Sequence, residues 1–132
     1  MQVRFSHLPF NRVLSLLLQV SALALSSSAI ASEPFPASGD YDASNKLFER
    51  TLSIAADGKF SLEVAGKSGG RSGSGEGELQ SSGQGWQFSE GRCRMQLQPM
   101  GKDALMMLVD GCSSAWGDVM FNGRYQLKNA KN

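Results

Sequence analysis

The sequence predicts an all-β domain, most simply a small antiparallel barrel of about seven or eight strands with one disulfide. Apolar and polar side chains alternate with a period of two in several short segments, and turn-forming residues separate these segments. After residue 31 no segment shows the apolar spacing of a helix. A β-sandwich is compatible with the same pattern and is the alternative.

The first 31 residues are predicted to be a signal peptide. Arg4 and Arg12 are basic, no acidic residue precedes Glu33, and residues 13–25 are almost wholly apolar. Ala29-Ile30-Ala31 then provides the small-x-small pattern that a signal peptidase cleaves. This apolar run is shorter than the roughly 20 residues that span a bilayer. We therefore expect a periplasmic or secreted protein with no membrane anchor after cleavage.

Residues 32–38 (SEPFPAS) are predicted to be a flexible lead-in, and residues 39–132 a single β-barrel domain. The first hairpin is the clearest local prediction, because Asp57-Gly58 separates two alternating segments. A glycine-dense stretch over residues 66–77 is interpreted as a hairpin loop that runs into a glycine-interrupted strand. Alternation predicts further strands around residues 86–88, 93–97, 104–109 and 119–127.

Tyrosines near both ends of the domain suggest how the barrel closes. Tyr41 lies in the first predicted strand and Tyr125 in the last, so these two strands could pair and remove the sheet edges. Gly123 in the final segment would allow the bend that closure needs.

The two cysteines of the chain, Cys93 and Cys112, are predicted to form a disulfide, since exported domains are stabilised in this way. A bridge of this loop length contributes about 3 kcal/mol. A redox pair is the alternative, but redox pairs favour a C-x-x-C spacing at the start of a helix. The spacing here is longer, and no helix is predicted after Cys112.

Composition excludes several classes of function. The single histidine, His7, lies in the predicted signal peptide, so the mature chain has no imidazole for a Ser-His-Asp or Cys-His site or for an ordinary zinc site. The mature chain keeps 11 basic and 12 acidic residues, a formal net charge of −1. Nucleic-acid binders carry a basic face instead. We expect no enzyme, no cofactor, no metal site and no nucleic-acid partner.

The glycine-dense stretch contains the first candidate site. Gly66-Lys67-Ser68 is similar to the end of a phosphate-binding P-loop, but Ser61 replaces the required upstream glycine and no helix follows. We interpret the segment as a mobile loop that carries Lys67 and Arg71 toward an acidic surface of a partner.

Three other sets of residues are candidate sites. Glu76 and Glu78 share one face of a strand, which is typical of a solvated polar face rather than of a catalytic pair. Trp116 is either an exposed binding anchor or a plug at one end of the barrel. Most of the methionines in the C-terminal half are interpreted as core filling rather than as a copper(I) site; they are Met95, Met100, Met106, Met107 and Met120.

The closing residues, Cys112 and then Phe121-Asn122-Gly123-Arg124-Tyr125, resemble those of small periplasmic proteins that end in Cys…Phe-x-Gly-x-Tyr. The general form is also similar to the periplasmic C-type lysozyme inhibitors, barrels that insert a loop into the lysozyme cleft. Ser38-Gly39-Asp40-Tyr41 is one residue shorter than the Ser-Gly-x-x-Tyr loop of that family, and the family's Tyr-x-x-x-Thr-Lys-Gly motif has no counterpart. We therefore transfer no inhibitory residue from it.

These observations predict an exported, non-catalytic binding protein of the bacterial envelope, acting as an inhibitor or immunity factor for a cell-wall-degrading enzyme. Its partner would be another envelope or extracellular protein, and the candidate contact residues are Lys67, Arg71 and Trp116. The alternative is a barrel that binds a small apolar ligand, which requires a hollow interior.

Overall fold

The computed structural model describes residues 35–131. The predicted signal peptide, residues 1–31, and the first three residues of the lead-in lie outside this range. The described chain forms nine strands and one short helix: β1 Gly39–Asp42, β2 Phe48–Ile54, β3 Lys59–Gly66, β4 Ser72–Glu78, β5 Gln80–Ser82, β6 Gly85–Glu90, β7 Cys93–Pro99, β8 Ala104–Asp110, α1 Ser113–Trp116 and β9 Gly123–Ala130.

The strands form one antiparallel sheet in the order β4-β3-β2-β1-β9-β8-β7-β6-β5, which curls into a nearly closed barrel. The all-β barrel prediction is confirmed. The first and last strands pair as predicted, with Tyr41 opposite Leu127. The strand count reaches nine because Leu79 divides one extended segment into β4, which pairs with β3, and β5, which pairs with β6.

The period-two alternation of the sequence is the inside–outside alternation of the barrel. In β3, Phe60, Leu62 and Val64 are buried and the residues between them are exposed. Burying one such side chain stabilises the fold by about 1.5–3 kcal/mol. The largest fully buried side chains, which fill the interior, are Tyr125, Leu52, Ile54, Leu62, Met95, Leu97, Met107 and Val64.

Both tyrosines anchor the strand that contains them. The Tyr41 hydroxyl donates to the carbonyl of Ala37 at 2.6 Å, and the Tyr125 hydroxyl donates to the carbonyl of Phe121 at 2.8 Å. Each bond therefore spans four residues and satisfies a buried phenol where the chain enters β1 or β9. Because β1 pairs with β9, the two hydrogen bonds fix the starts of the two strands that join the N-terminal and C-terminal parts of the sheet.

The last strand begins and ends later than predicted, since β9 is Gly123–Ala130 and not residues 119–127. The Arg50 guanidinium donates to the carbonyl of Asn122 at 2.7 Å, and the Asn122 side chain accepts from the backbone N–H of Val109 at 2.7 Å. These side-chain bonds replace the strand ladder at this point. Gly123, with φ of +155°, begins the regular strand.

The described part of the lead-in packs against the barrel. The ring of Phe35 lies beside Gly58, and Pro36 is buried. The backbone carbonyl of Ser38 accepts a hydrogen bond from the backbone N–H of Lys131 at 3.0 Å, so the segment also contacts the end of the described chain.

The predicted disulfide is present, joining Cys93 at the start of β7 to Cys112, with both residues buried. The expectation that no helix follows Cys112 is wrong, because Ser113–Trp116 forms a single helical turn, with the N–H of Trp116 bonded to the carbonyl of Cys112 at 2.7 Å. One turn is too short to produce a helical pattern in the sequence. The turn directs Trp116 into the barrel.

Candidate functional site

The predicted contact residues Lys67, Arg71 and Trp116 lie at the same end of the barrel. We call this the loop end, formed by the β1–β2 loop (residues 43–47), the β3–β4 loop (67–71) and the β8–β9 connection (111–122). The structure therefore brings together residues that are almost 50 positions apart in sequence.

The β3–β4 loop is held at its base and open at its tip. The N–H of Lys67 donates to the carbonyl of Leu47 at 2.9 Å, and the N–H of Gly66 donates to the carbonyl of Arg71 at 3.0 Å. At the tip, Gly69 and Gly70 have positive φ angles of +84° and +93°, and a β-carbon on either would meet no atom within 4 Å. The loop therefore projects into solvent with a defined base.

Arg71 connects the loop to the segment that follows α1. Its guanidinium lies 3.5 Å from the carboxylate of Asp118, and both side chains are largely exposed. An exposed pair of this kind contributes at most about 1 kcal/mol. The pair orients Arg71 and leaves it accessible to a stronger carboxylate partner.

Two apolar side chains at the loop end are exposed against expectation, since Leu47 was not singled out in the sequence and the interpretation of Met120 as core filling is wrong. Leu47 is 70% exposed and Met120 is 61% exposed. For Met120 the available signal is the alternation of residues 119–127, which places it in phase with the polar Asn122 and Arg124. Together with the two cations of the β3–β4 loop, Leu47 and Met120 give the loop end a mixed apolar and cationic surface, a composition common in protein interfaces.

Trp116 is buried, with 8% of its surface exposed. Its indole stacks on Phe88 with centroids 5.6 Å apart and planes 21° apart, and it meets Phe60 and Phe121 edge to face. Of the two interpretations of this residue, the geometry is that of a plug at one end of the barrel. Its role as a partner contact stays a prediction, limited to the small exposed part of the ring.

The remaining candidates are dispersed over the barrel. Glu76 and Glu78 lie exposed on the outer face of β4, as predicted. Met95 and Met107 are core residues, whereas Met100 and Met120 are exposed at opposite ends of the barrel. Within residues 35–131, no group of three His, Cys, Asp or Glu side chains could hold a metal ion.

A groove of about 730 Å³ lies beside β4, where the barrel is not closed. We call it the seam, and its two sides are β4 and the end of β6. Ser74 and Glu76 line one side, Phe88 and Glu90 line the other, and Trp116 lies beneath. Sequence reasoning missed the seam, because it depends on which strands fail to pair.

No known protein family, curated protein or solved structure matches the chain. Within the described residues, no helix has both the length and the apolar character needed to cross a membrane.

Proposed function

We propose that the protein is an exported, non-catalytic binding protein of the bacterial envelope that inhibits, or gives immunity to, a cell-wall-degrading enzyme. The observation that supports this most directly is the projecting β3–β4 loop, which carries Lys67 and Arg71 at the end of the barrel where the side chains of Leu47 and Met120 are exposed. The buried disulfide fits an oxidising, exported compartment.

The chemistry of the loop suits an acidic cleft. Enzymes that hydrolyse glycosidic bonds use paired carboxylates on either side of the substrate. A narrow hairpin whose tip is Gly69-Gly70 can enter such a cleft, because the tip carries no side chains. Lys67 and Arg71 would then pair with the carboxylates, while Leu47 and Met120 would pack at the rim.

The rigidity of the scaffold favours inhibition over transient contact. The loop base is hydrogen-bonded to Leu47, and the disulfide fixes Cys112, which directly precedes α1. A surface held in its bound conformation loses less entropy on binding. The alternative, a carrier of a small apolar ligand, is less well supported, because side chains such as Leu52 and Tyr125 occupy the barrel interior with no exposed surface.

Affinity capture with charge-reversal variants tests the proposal. Tagged, oxidised residues 32–132 would be incubated with envelope extract, comparing wild type with Arg71→Glu and with Lys102→Glu, an exposed lysine at the opposite end. We expect wild type and the Lys102 variant to retain one stoichiometric partner, and the Arg71 variant and high salt to release it.

The captured protein would then be purified and its hydrolysis of peptidoglycan measured with and without the barrel. Inhibition by wild type and not by Arg71→Glu, at unchanged melting temperature, supports the proposal. Equal capture by both charge-reversal variants, or an unaffected hydrolase, would overturn it. A lipid retained in native mass spectrometry would support the carrier function instead.

A further inference from the structure

We propose that the seam is a second binding site, which takes up an extended basic segment of a partner protein by β-strand addition to β4. This goes beyond the proposed function, because the seam runs along the side of the barrel and uses backbone groups rather than the β3–β4 loop.

The hydrogen-bond pattern fixes the direction of each peptide group in β4. The β3–β4 ladder keeps one register throughout. Two further backbone hydrogen bonds continue this register beyond the ends of the ladder. The N–H of Gly66 donates to the carbonyl of Arg71 at one end, and the N–H of Leu79 donates to the carbonyl of Gly58 at the other. In an antiparallel pair, every second residue directs both its N–H and its C=O toward the partner strand. In β4 these residues are Gly73, Gly75 and Gly77.

The residues between these glycines direct their backbone groups away from β3. Ser74 and Glu76 therefore present two N–H and two C=O groups to the seam, and both residues are exposed. Within residues 35–131, β4 pairs with no strand other than β3. These four groups have the spacing that an added strand requires.

The opposite side of the seam has the same property. β5 pairs with β6 only as far as Gln87, so the last three residues of β6 have β7 as their one described partner. The two-residue turn at Gly91-Arg92 makes Glu90 and Cys93 a hydrogen-bonded pair, which directs the backbone groups of Ser89 into the seam.

β4 also lacks several of the features by which edge strands avoid pairing with any partner, and its charged residues are glutamates, which act against acidic partners only. Its sequence, SGSGEGE, contains no lysine and no proline, and its ladder with β3 has no bulge. Its alternate residues are glycines, so no inward side chain hinders the approach of another backbone. The strand is therefore an accessible template from Ser74 to Glu76.

The charge of the seam selects a basic occupant. Three glutamates line it, Glu63, Glu76 and Glu90, and none of the residues lining it is basic. A strand added to β4 would place outward basic side chains beside these carboxylates and small inward side chains over Phe88 and Trp116. Pairing of β4 with a second copy of itself is disfavoured, because it brings the glutamates of two β4 strands together.

A synthetic peptide of alternating valine and lysine, labelled with a fluorophore, provides the probe. Fluorescence anisotropy would measure its binding to oxidised residues 32–132, beside a peptide with glutamate in place of lysine and one N-methylated at alternate residues. We expect saturable binding of the lysine peptide, with both control peptides weaker by roughly tenfold or more.

Protein variants locate the site. Glu76→Lys should weaken binding of the lysine peptide by roughly tenfold, since it reverses a charge in the seam. Glu49→Lys, on the exposed outer face of β2 and not among the seam residues, should leave the affinity unchanged. Arg71→Glu should also leave it unchanged, so failure of the loop-end proposal and failure of this one are distinguishable.

Three results would overturn the proposal: no binding of the lysine peptide at about millimolar concentration, equal affinity for the N-methylated peptide, or equal effects of the Glu49 and Glu76 variants. Sedimentation that shows dimers abolished by Ser74→Pro would assign the seam to a second copy and would overturn it as well.

Discussion

The indole of Trp116 occupies the space that a side chain at Gly75 would need. A β-carbon built on Gly75 would lie 2.9 Å from Cε3 of Trp116 and closer still to the ring-fusion atoms. Gly77 has the same relationship to Phe88, and a β-carbon on Gly73 would lie 2.8 Å from Cζ of Phe121. The glycines of β4 therefore allow the aromatic cluster to pack directly against the backbone.

Gly75→Ala is expected to destabilise the fold by about 1–3 kcal/mol, because the added methyl group forces the indole out of its position. Thermal or urea unfolding would measure the loss, and near-ultraviolet circular dichroism would report displacement of Trp116. The matched control is Ser74→Ala, exposed on the same strand, with an expected change within about 0.5 kcal/mol. Equal stability of the two variants would contradict the packing role of the glycine.

Trp116→Ala is expected to cost about 3–5 kcal/mol, since it removes the ring that stacks on Phe88 and contacts Phe60 and Phe121. Met120→Ala provides the comparison, because Met120 is at the same end of the barrel and largely exposed. Chemical unfolding would measure both. A loss below about 1 kcal/mol for the tryptophan variant would show that the plug is dispensable.

The two tyrosines of the chain should resist ionisation while the barrel is folded. Burial raises the pKa of Tyr125 well above its usual value, and burial, aided by the charge of Asp103, raises the pKa of Tyr41. In the unfolded chain both phenols release their protons near pH 10. Ionisation of the two phenols therefore does not reduce the free energy of unfolding below about pH 10, and it lowers that free energy increasingly as the pH rises above this value.

Ultraviolet absorbance of tyrosinate, followed together with far-ultraviolet circular dichroism, measures whether the tyrosines ionise before or only with unfolding. We expect tyrosinate to form only as the barrel unfolds. Reversible ionisation of either tyrosine near pH 10 in the folded protein would contradict the burial of the two hydroxyls.

Asp40 is expected to titrate below its usual range. A hydrogen bond from the Ser53 hydroxyl at 2.7 Å, and then the Lys131 ammonium 3.3 Å away, lower the pKa of this carboxyl. Because the pKa in the folded state is depressed, the stabilisation is present above about pH 4 and is lost as the pH falls through the lowered value.

Carboxyl chemical shifts in an NMR titration would give the pKa directly. Ser53→Ala should raise the pKa of Asp40, and Lys131→Ala should raise it as well, since both partners lower it and the Ser53 hydrogen bond is the largest single cause. No change in Ser53→Ala would show that the hydroxyl does not bind the carboxylate in solution.

Much of the fold follows from local sequence, whereas the reasons for its glycines do not. Alternation in residues 48–64 with Asp57-Gly58 between its two halves predicts the β2–β3 hairpin and its buried face. A glycine is required at position 75 because the indole of Trp116 packs there, and Trp116 lies in a connection about 40 residues later in the sequence. The start of β9 likewise depends on Arg50, whose guanidinium binds the carbonyl of Asn122 across 72 residues.

Part of the candidate site could be predicted from local sequence, and part depends on the topology of the barrel. Lys67 and Arg71 could be placed on a loop from the glycines around them. Leu47 and Met120 could not be assigned to the same surface, because only the barrel topology brings the β1–β2 loop and the β8–β9 connection to one end. The seam could not be predicted, because it lies where β4 and the end of β6 do not pair, and no local sequence pattern indicates which strands fail to pair.

The most direct test of the structural account is amide hydrogen exchange along β4, measured by NMR on oxidised residues 32–132 over a dilution series. We predict alternation: slow exchange at Gly73 and Gly75, whose N–H groups bond to β3, and fast exchange at Ser74 and Glu76, whose N–H groups face the seam. Equal protection of all four amides, independent of concentration, would contradict the account, because it would mean that the barrel is closed at β4.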